Sequence, residues 1–248
     1  MLSLPQRLDM KSTDIIQSKI NKFPNGYIFT YKDFMSDVDV SFEAIVKYLN
    51  RLSSSNAIVK YAKGKYYKPK RTVFGDLKPD LNEVLKDLLV EDGAVIGYFT
   101  GISIFSDLGL TTQIGAEIQI GRISPKVAVV RENYRISFII QKNIITKDNI
   151  QYLQLLDALK LIKKIPDTTI VQSCKVIQAK FKKYNNRQLK VLIRLSLKYP
   201  ANTRALLGCL LEELIDVSVL NKSLNPTTHY EFNGVLDEFP NAKNWNIV

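Results

Sequence analysis

The residues of this chain whose types and spacing suggest chemistry are cationic and amide side chains on one short helical stretch, and the chemistry they suggest is recognition of a polyanion. From Ser41 onward, Ile45, Tyr48, Leu49 and Leu52 recur at helical spacing, so one face is core. Half a circle away lie Glu43, Lys47, Asn50 and Arg51, side chains able to read base edges and phosphates in a major groove. Ser41 stands where a hydroxyl caps the first turn and would itself lie close to a duplex. A few residues on, the run A-I-V-K-Y-A-K-G-K-Y-Y-K from Ala57 to Lys68 places β-branched and aromatic residues on either side of Gly64. That pattern predicts a hairpin whose tip offers Lys63 and Lys65 to phosphates, as the wing of a winged helix does.

Catalysis finds much less support. His229 is the only histidine, and no nucleophile motif stands near it in sequence. Glycine-rich phosphate loops are absent, and Gly64-Lys65 lacks the loop that would wrap a phosphate. Asp37-x-Asp39 has a spacing that can hold Mg²⁺, but no Gly-Ser turn precedes it and it falls between two predicted helices, so helix-capping acids are the better reading. Cys174 and Cys209 lie in apolar helical patterns, which argues for a reducing compartment rather than a disulfide framework. No enzyme, metal or cofactor is expected. The N-terminus lacks an apolar run after a basic start and no stretch is long and apolar enough to span a bilayer, so a soluble cytoplasmic protein is expected.

Charge is distributed unevenly along the 248 residues, whose formal net charge is +11. Residues 1–74 carry +7 and residues 151–205 carry +10, with 12 lysines and arginines against 2 acids in the latter. On a predicted helix from Arg187 to Lys198, the cations Arg187, Lys190, Arg194 and Lys198 share one stripe while Leu189, Leu192, Ile193 and Leu197 line another. With Lys160, Lys163, Lys164, Lys180, Lys182 and Lys183 on neighbouring segments, they suggest a second basic surface for a polyanion or an acidic partner.

The elements that position these residues follow from caps and periodicity. Thr30 and Asp33 have capping-box spacing and start a short helix near Tyr31–Ser36. Residues 69–79, rich in Pro, Gly and charge, read as a linker. Beyond them, Leu81, Val84, Leu85, Leu88 and Leu89 form a helical stripe ending at Asp92-Gly93, and a second short helix runs from Thr100 to Leu108. The runs E-I-Q-I, K-V-A-V-V and Y-R-I-S-F-I-I between Ala116 and Lys142 suggest a small antiparallel sheet. Helices are expected near 149–164, 169–184, 187–198 and 203–215, while T-T-H-Y-E-F could add an edge strand and Trp245 reads as a packing anchor. The fold class is therefore α+β: a winged helix-turn-helix over residues 1–72, then a mixed domain over 73–248.

Five segments carry a family resemblance: P-N-G-Y-I-F-T-Y-K-D-F, A-K-G-K-Y-Y-K-P-K, F-T-G-I-S-I-F-S-D-L-G-L-T-T-Q-I, A-N-T-R-A-L-L-G-C-L-L-E-E-L and L-N-P-T-T. The chain resembles the AbiEi-type antitoxins of bacterial abortive-infection operons over most of its length. That resemblance implies a transcriptional autorepressor that binds double-stranded DNA repeats in its own promoter, with a second domain that neutralises a co-transcribed nucleotidyltransferase toxin. It transfers no catalytic residue. Few cations lie between Ser41 and Arg51, and Phe42 is expected to lean toward the core, which gives the second basic region a share in DNA affinity. Binding of an acidic partner without DNA is the alternative. RNA binding through Tyr61, Tyr66 and Tyr67 ranks last, because their spacing suits strand packing better.

Overall fold

A computed structural model describes residues 4–35, 40–113, 115 and 117–248, with only the backbone of residues 4–11. Asp37 and Asp39 lie outside the described residues. The chain divides into two compact units, Met1–Asp87 and Leu88–Val248, so the first extends beyond the expected boundary at residue 72.

The core of the first unit is built mainly on aromatic and β-branched residues. Helix α1 (Leu4–Lys22) presents Ile16 and Ile20 one turn apart, both buried. Strand β1 (Ile28–Thr30) leads into a 3-10 turn, Tyr31–Phe34. As expected, the Asp33 carboxylate accepts from the Thr30 N–H at 2.7 Å. Helix α2 (Phe42–Ser54) is capped by Ser41, whose Oγ accepts from the Ala44 N–H at 3.2 Å, and it buries Ile45, Tyr48 and Leu49. Strands β2 (Val59–Ala62) and β3 (Lys65–Tyr67) follow, turning at Lys63-Gly64, where Gly64 has φ +72° and packs against the Tyr31 ring. The sheet order is β1-β3-β2, all antiparallel, which with α1, the 3-10 turn and α2 is the winged helix-turn-helix arrangement. Phe23, Phe29 and Phe34 pack ring to ring beneath it.

The segment expected as a linker is a two-stranded ribbon. Strands β4 (Lys70–Thr72) and β5 (Gly75–Leu77) pair antiparallel, because Thr72 and Gly75 close a tight turn between them. Helix α3 (Leu81–Leu89) then carries the expected stripe, with Val84, Leu85 and Leu88 buried. Asp92-Gly93 does not end that helix. Both residues have positive φ and form the turn between β6 (Val90–Glu91) and β7 (Ala94–Val95), so the left-handed glycine serves a hairpin instead of a helix cap.

The second unit joins β8 (Gly97–Thr100), α4 (Ile102–Asp107), β9 (Glu117–Arg122), β10 (Val129–Arg131) and β11 (Tyr134–Ile140). Its sheet has the order β10-β11-β9-β8. The three expected strands form, and β11 runs parallel to β9 while the other two pairings are antiparallel, so the sheet is mixed. Helices α5 (Ile150–Lys160) and α6 (Ile170–Phe181) fall within the expected spans, while α7 (Asn186–Ser196) and α8 (Ala201–Leu211) begin one and two residues before theirs. Short helices α9 (Ser218–Asn221) and α10 (Val235–Glu238) and a 3-10 turn, Pro240–Trp245, complete the chain. The tail adds no strand to the sheet; Tyr230 makes a single parallel bridge to Ile247. Trp245 is the anchor expected, 2 % exposed, with its indole N–H donating to Glu212 Oε2 at 3.0 Å. Its ring lies on Gly208, where any Cβ would overlap it. The two cysteines are free and buried, and desolvation pushes both thiols up to about 12.

A buried polar network that sequence reasoning missed ties this unit together. The Asp157 carboxylate accepts from the hydroxyls of Tyr98 at 2.6 Å, Thr100 at 3.0 Å and Tyr199 at 2.8 Å. Gln141 Nε2 donates to both tyrosine oxygens at 2.8 Å, and Asn143 Nδ2 links Gln141 Oε1 to the Leu195 carbonyl. Burial raises the Asp157 pKa, against the lowering effect of the three hydroxyl donors.

Two outcomes follow for stability. Gly208→Ala, by overpacking against the indole, lowers unfolding free energy by about 1–3 kcal/mol, read from denaturant unfolding. Because the folded Asp157 holds its proton more tightly than an ordinary aspartate of pKa 3.8, its contribution to stability falls as pH rises above that value. Asp157→Asn removes that slope, so the stability gap between native protein and variant narrows with rising pH in urea titrations.

Candidate nucleic-acid interface

The outward face of α2 carries the residues expected there. Glu43, Lys47, Asn50 and Arg51 are all exposed. Rotation of the helix is set by the buried side, since Ile45, Tyr48 and Leu49 lie under α1 and the sheet. Tyr48 reinforces it by donating its hydroxyl to Gln17 Oε1 of α1 at 2.8 Å. The Arg51 guanidinium lies over the Tyr48 ring, 4.8 Å from its centroid, which holds the cation on this face. Asn50 has a partner inside the unit: its Oδ1 accepts from the Tyr66 hydroxyl at 3.0 Å, leaving the amide nitrogen for a ligand. The Ser41 hydroxyl is engaged as the helix cap.

On the wing, Lys63 is exposed at the turn. Lys65 makes an ion pair with Asp87 at 3.3 Å, a half-exposed contact of the kind that contributes under about 1 kcal/mol. Phe42 departs from expectation. It is 49 % exposed in the first turn of α2, where it packs edge-on against the half-buried Tyr31 instead of joining Ile45, Tyr48 and Leu49 in the core. Tyr66 and Tyr67 are 1 % and 5 % exposed, so neither offers a ring face for stacking on bases. Burial, with the Tyr31 hydroxyl adding to it, pushes the Tyr66 phenol up to about 12.

The second basic surface is partly assembled. Arg187, Arg194 and Lys198 line a groove of about 820 Å³ together with Asn143, Tyr152 and Gln188. Lys190 joins Arg187 and Arg194 along an adjoining depression. Lys198 also borders a third hollow with Lys160 and Lys142. The four expected cations, three on α7 and Lys198 just beyond it, thus line neighbouring depressions with amide groups and Asp148 beside them. Lys163 stands over the Phe232 ring instead, and Lys164, Lys180, Lys182 and Lys183 line none of these depressions.

No group of three His, Cys, Asp or Glu side chains able to hold a metal occurs among the described residues. No helix among them is long and apolar enough to cross a membrane.

Asn50→Ala takes an acceptor from the buried Tyr66 hydroxyl and lowers stability by about 1 kcal/mol in denaturant unfolding, whereas Asn50→Asp keeps the acceptor and the stability.

Among solved structures, the crystal structure of the Rv2827c protein from Mycobacterium tuberculosis is similar in fold, with a TM-score of 0.52 and 13 % sequence identity over 89 % of this chain and 83 % of that one. No curated protein matches the chain. Residues 15–189, more than half of the sequence, match the model of a family of unknown function, DUF6088, and the chain belongs to that family.

Proposed function

We propose that this chain is a DNA-binding transcriptional autorepressor and antitoxin. In this reading Glu43, Lys47, Asn50 and Arg51 on α2 enter a major groove, Ser41 lies at the entrance and Lys63 of the wing meets the backbone, with Lys65 joining by exchanging Asp87 for a phosphate. The observation that carries it is the exposed polar face of α2 within a winged helix-turn-helix, its opposite face being spent on the core. A formal charge of +7 over residues 1–74 supports attraction to a polyanion. The resemblance to AbiEi-type antitoxins supplies the rest of the proposal: repeats in the chain's own promoter as the operator, and a co-transcribed nucleotidyltransferase toxin as the activity neutralised through the second unit. The action is non-enzymatic and cytoplasmic, and it needs no cofactor.

The groove beside α7 favours a second reading, in which Arg187, Lys190, Arg194 and Lys198 seat an acidic protein surface and the first unit does not touch DNA.

Fluorescence anisotropy with a duplex from the region upstream of the gene, over a series of salt concentrations, separates the two. Phosphate contacts make affinity fall steeply with salt, and Lys47→Ala with Arg51→Ala together reduce the logarithmic salt slope by about 2. Equal affinity and slope in the double variant overturn the assignment of α2. Absence of duplex binding at low salt, beside a stable toxin complex lost in Arg187→Glu/Arg194→Glu, establishes the second reading.

A further inference from the structure

The ribbon β4–β5 ends in the two most exposed large apolar side chains among the described residues, Val73 at 94 % and Phe74 at 98 %. All six strand residues of the ribbon are exposed as well, so it encloses no core of its own. Its tip is nevertheless a built turn. The Thr72 hydroxyl donates to the Gly75 carbonyl at 2.7 Å and accepts from the Phe74 N–H at 3.2 Å, and Gly75 takes φ +110°, which fixes both apolar side chains at the end of the ribbon.

The base is anchored too. The Arg71 guanidinium donates to the Asn56 carbonyl in the turn that follows α2, Pro69 is buried, and Lys68 Nζ donates to the Asn21 and Phe23 carbonyls at 3.3 Å. The ribbon thus stands beside the C-terminal end of the helix assigned above to the major groove. Its flanks are cationic: Lys68, Lys70, Arg71 and Lys78 face one acid, Asp76.

The geometry points to this ribbon as a second DNA-binding projection, in which Phe74, with Val73 beside it, wedges between base pairs from the minor groove while Lys70 and Lys78 lie against the flanking phosphates. This rests on the DNA-binding reading of the first unit. β-ribbons are among the elements that proteins place in the major or the minor groove, and phenylalanine is among the side chains that unstack a base step and kink a duplex from the minor groove. The cationic neck suits a polyanion. Two side chains at a point supply far less than the roughly 1,200 Å² that a stable protein–protein interface buries, so a second copy of the chain is a poorer occupant.

The test uses the full chain and circularly permuted duplexes carrying the upstream region of the gene. The expected result is a bend with native protein, loss of the bend and about tenfold weaker binding with Phe74→Ser, an unchanged salt slope because no charge is removed, and recovery of the bend with Phe74→Leu. Unfolding midpoints stay equal, since the side chain packs against no core. Equal bending and affinity in Phe74→Ser overturn the wedge and leave the DNA reading standing. No duplex binding by native protein overturns both. A shift from dimer to monomer in sedimentation with Phe74→Ser, the bend being intact, assigns the tip to self-association and overturns the wedge.

Discussion

Burial of Ile45, Tyr48 and Leu49 beneath α1 and the three-stranded sheet governs what the first unit can offer a partner. A helix has one rotation about its axis, and once three large side chains are committed inward, the residues half a turn away have only solvent to face. Each such burial contributes about 1.5–3 kcal/mol, whereas exposing Lys47 or Arg51 costs nothing, so the orientation is decided by the apolar side. The Tyr66 hydroxyl extends that control to the surface. Held at 3.1 Å from the Tyr31 hydroxyl and donating to Asn50, it makes one residue of the candidate recognition face continuous with the core.

The second unit is ordered by a different device. Its helices are nearly all apolar on the inner side, and a core of leucine and isoleucine alone specifies packing loosely. The Asp157 network supplies direction, because a buried carboxylate with three hydroxyl donors tolerates one arrangement of β8, α5 and Tyr199 in the turn beyond α7. Gly208 and Trp245 do the same at the other end through contact: the indole sits directly on helix α8 backbone, and Glu212 one turn later takes its N–H. Rigidity of this kind is what a helix such as α7 needs if its cations are to keep a fixed spacing.

Both units carry cations, but the surroundings differ. On α2 they are few and stand among amide and aromatic groups, the composition of a surface that discriminates among ligands. On α7 they are denser and line a groove that also holds amide groups and Tyr152, so what differs most is the strength of the local field.

Much of this was legible in the sequence wherever a local rule decides the outcome. The Thr30–Asp33 box, the Ser41 cap, the inward stripe of α2, the Gly64 turn and the four long helices of the second unit all follow from side chains a few residues apart. Tertiary structure alone decided the rest. The residues from Lys70 to Leu77 have loop composition, and only the Thr72–Gly75 turn with the Arg71 anchor makes them a ribbon. Phe42 looks like core by type, yet in the first turn of α2 it packs on the half-buried Tyr31 and stays half exposed. Strand direction between β9 and β11, the burial of Asp157 and the pairing of Lys65 with Asp87 depend on partners 18 to 59 residues away, distances over which no periodicity carries information. Local spacing thus determined which face of each helix is apolar, while competition for a limited interior determined which side chains were left outside to act.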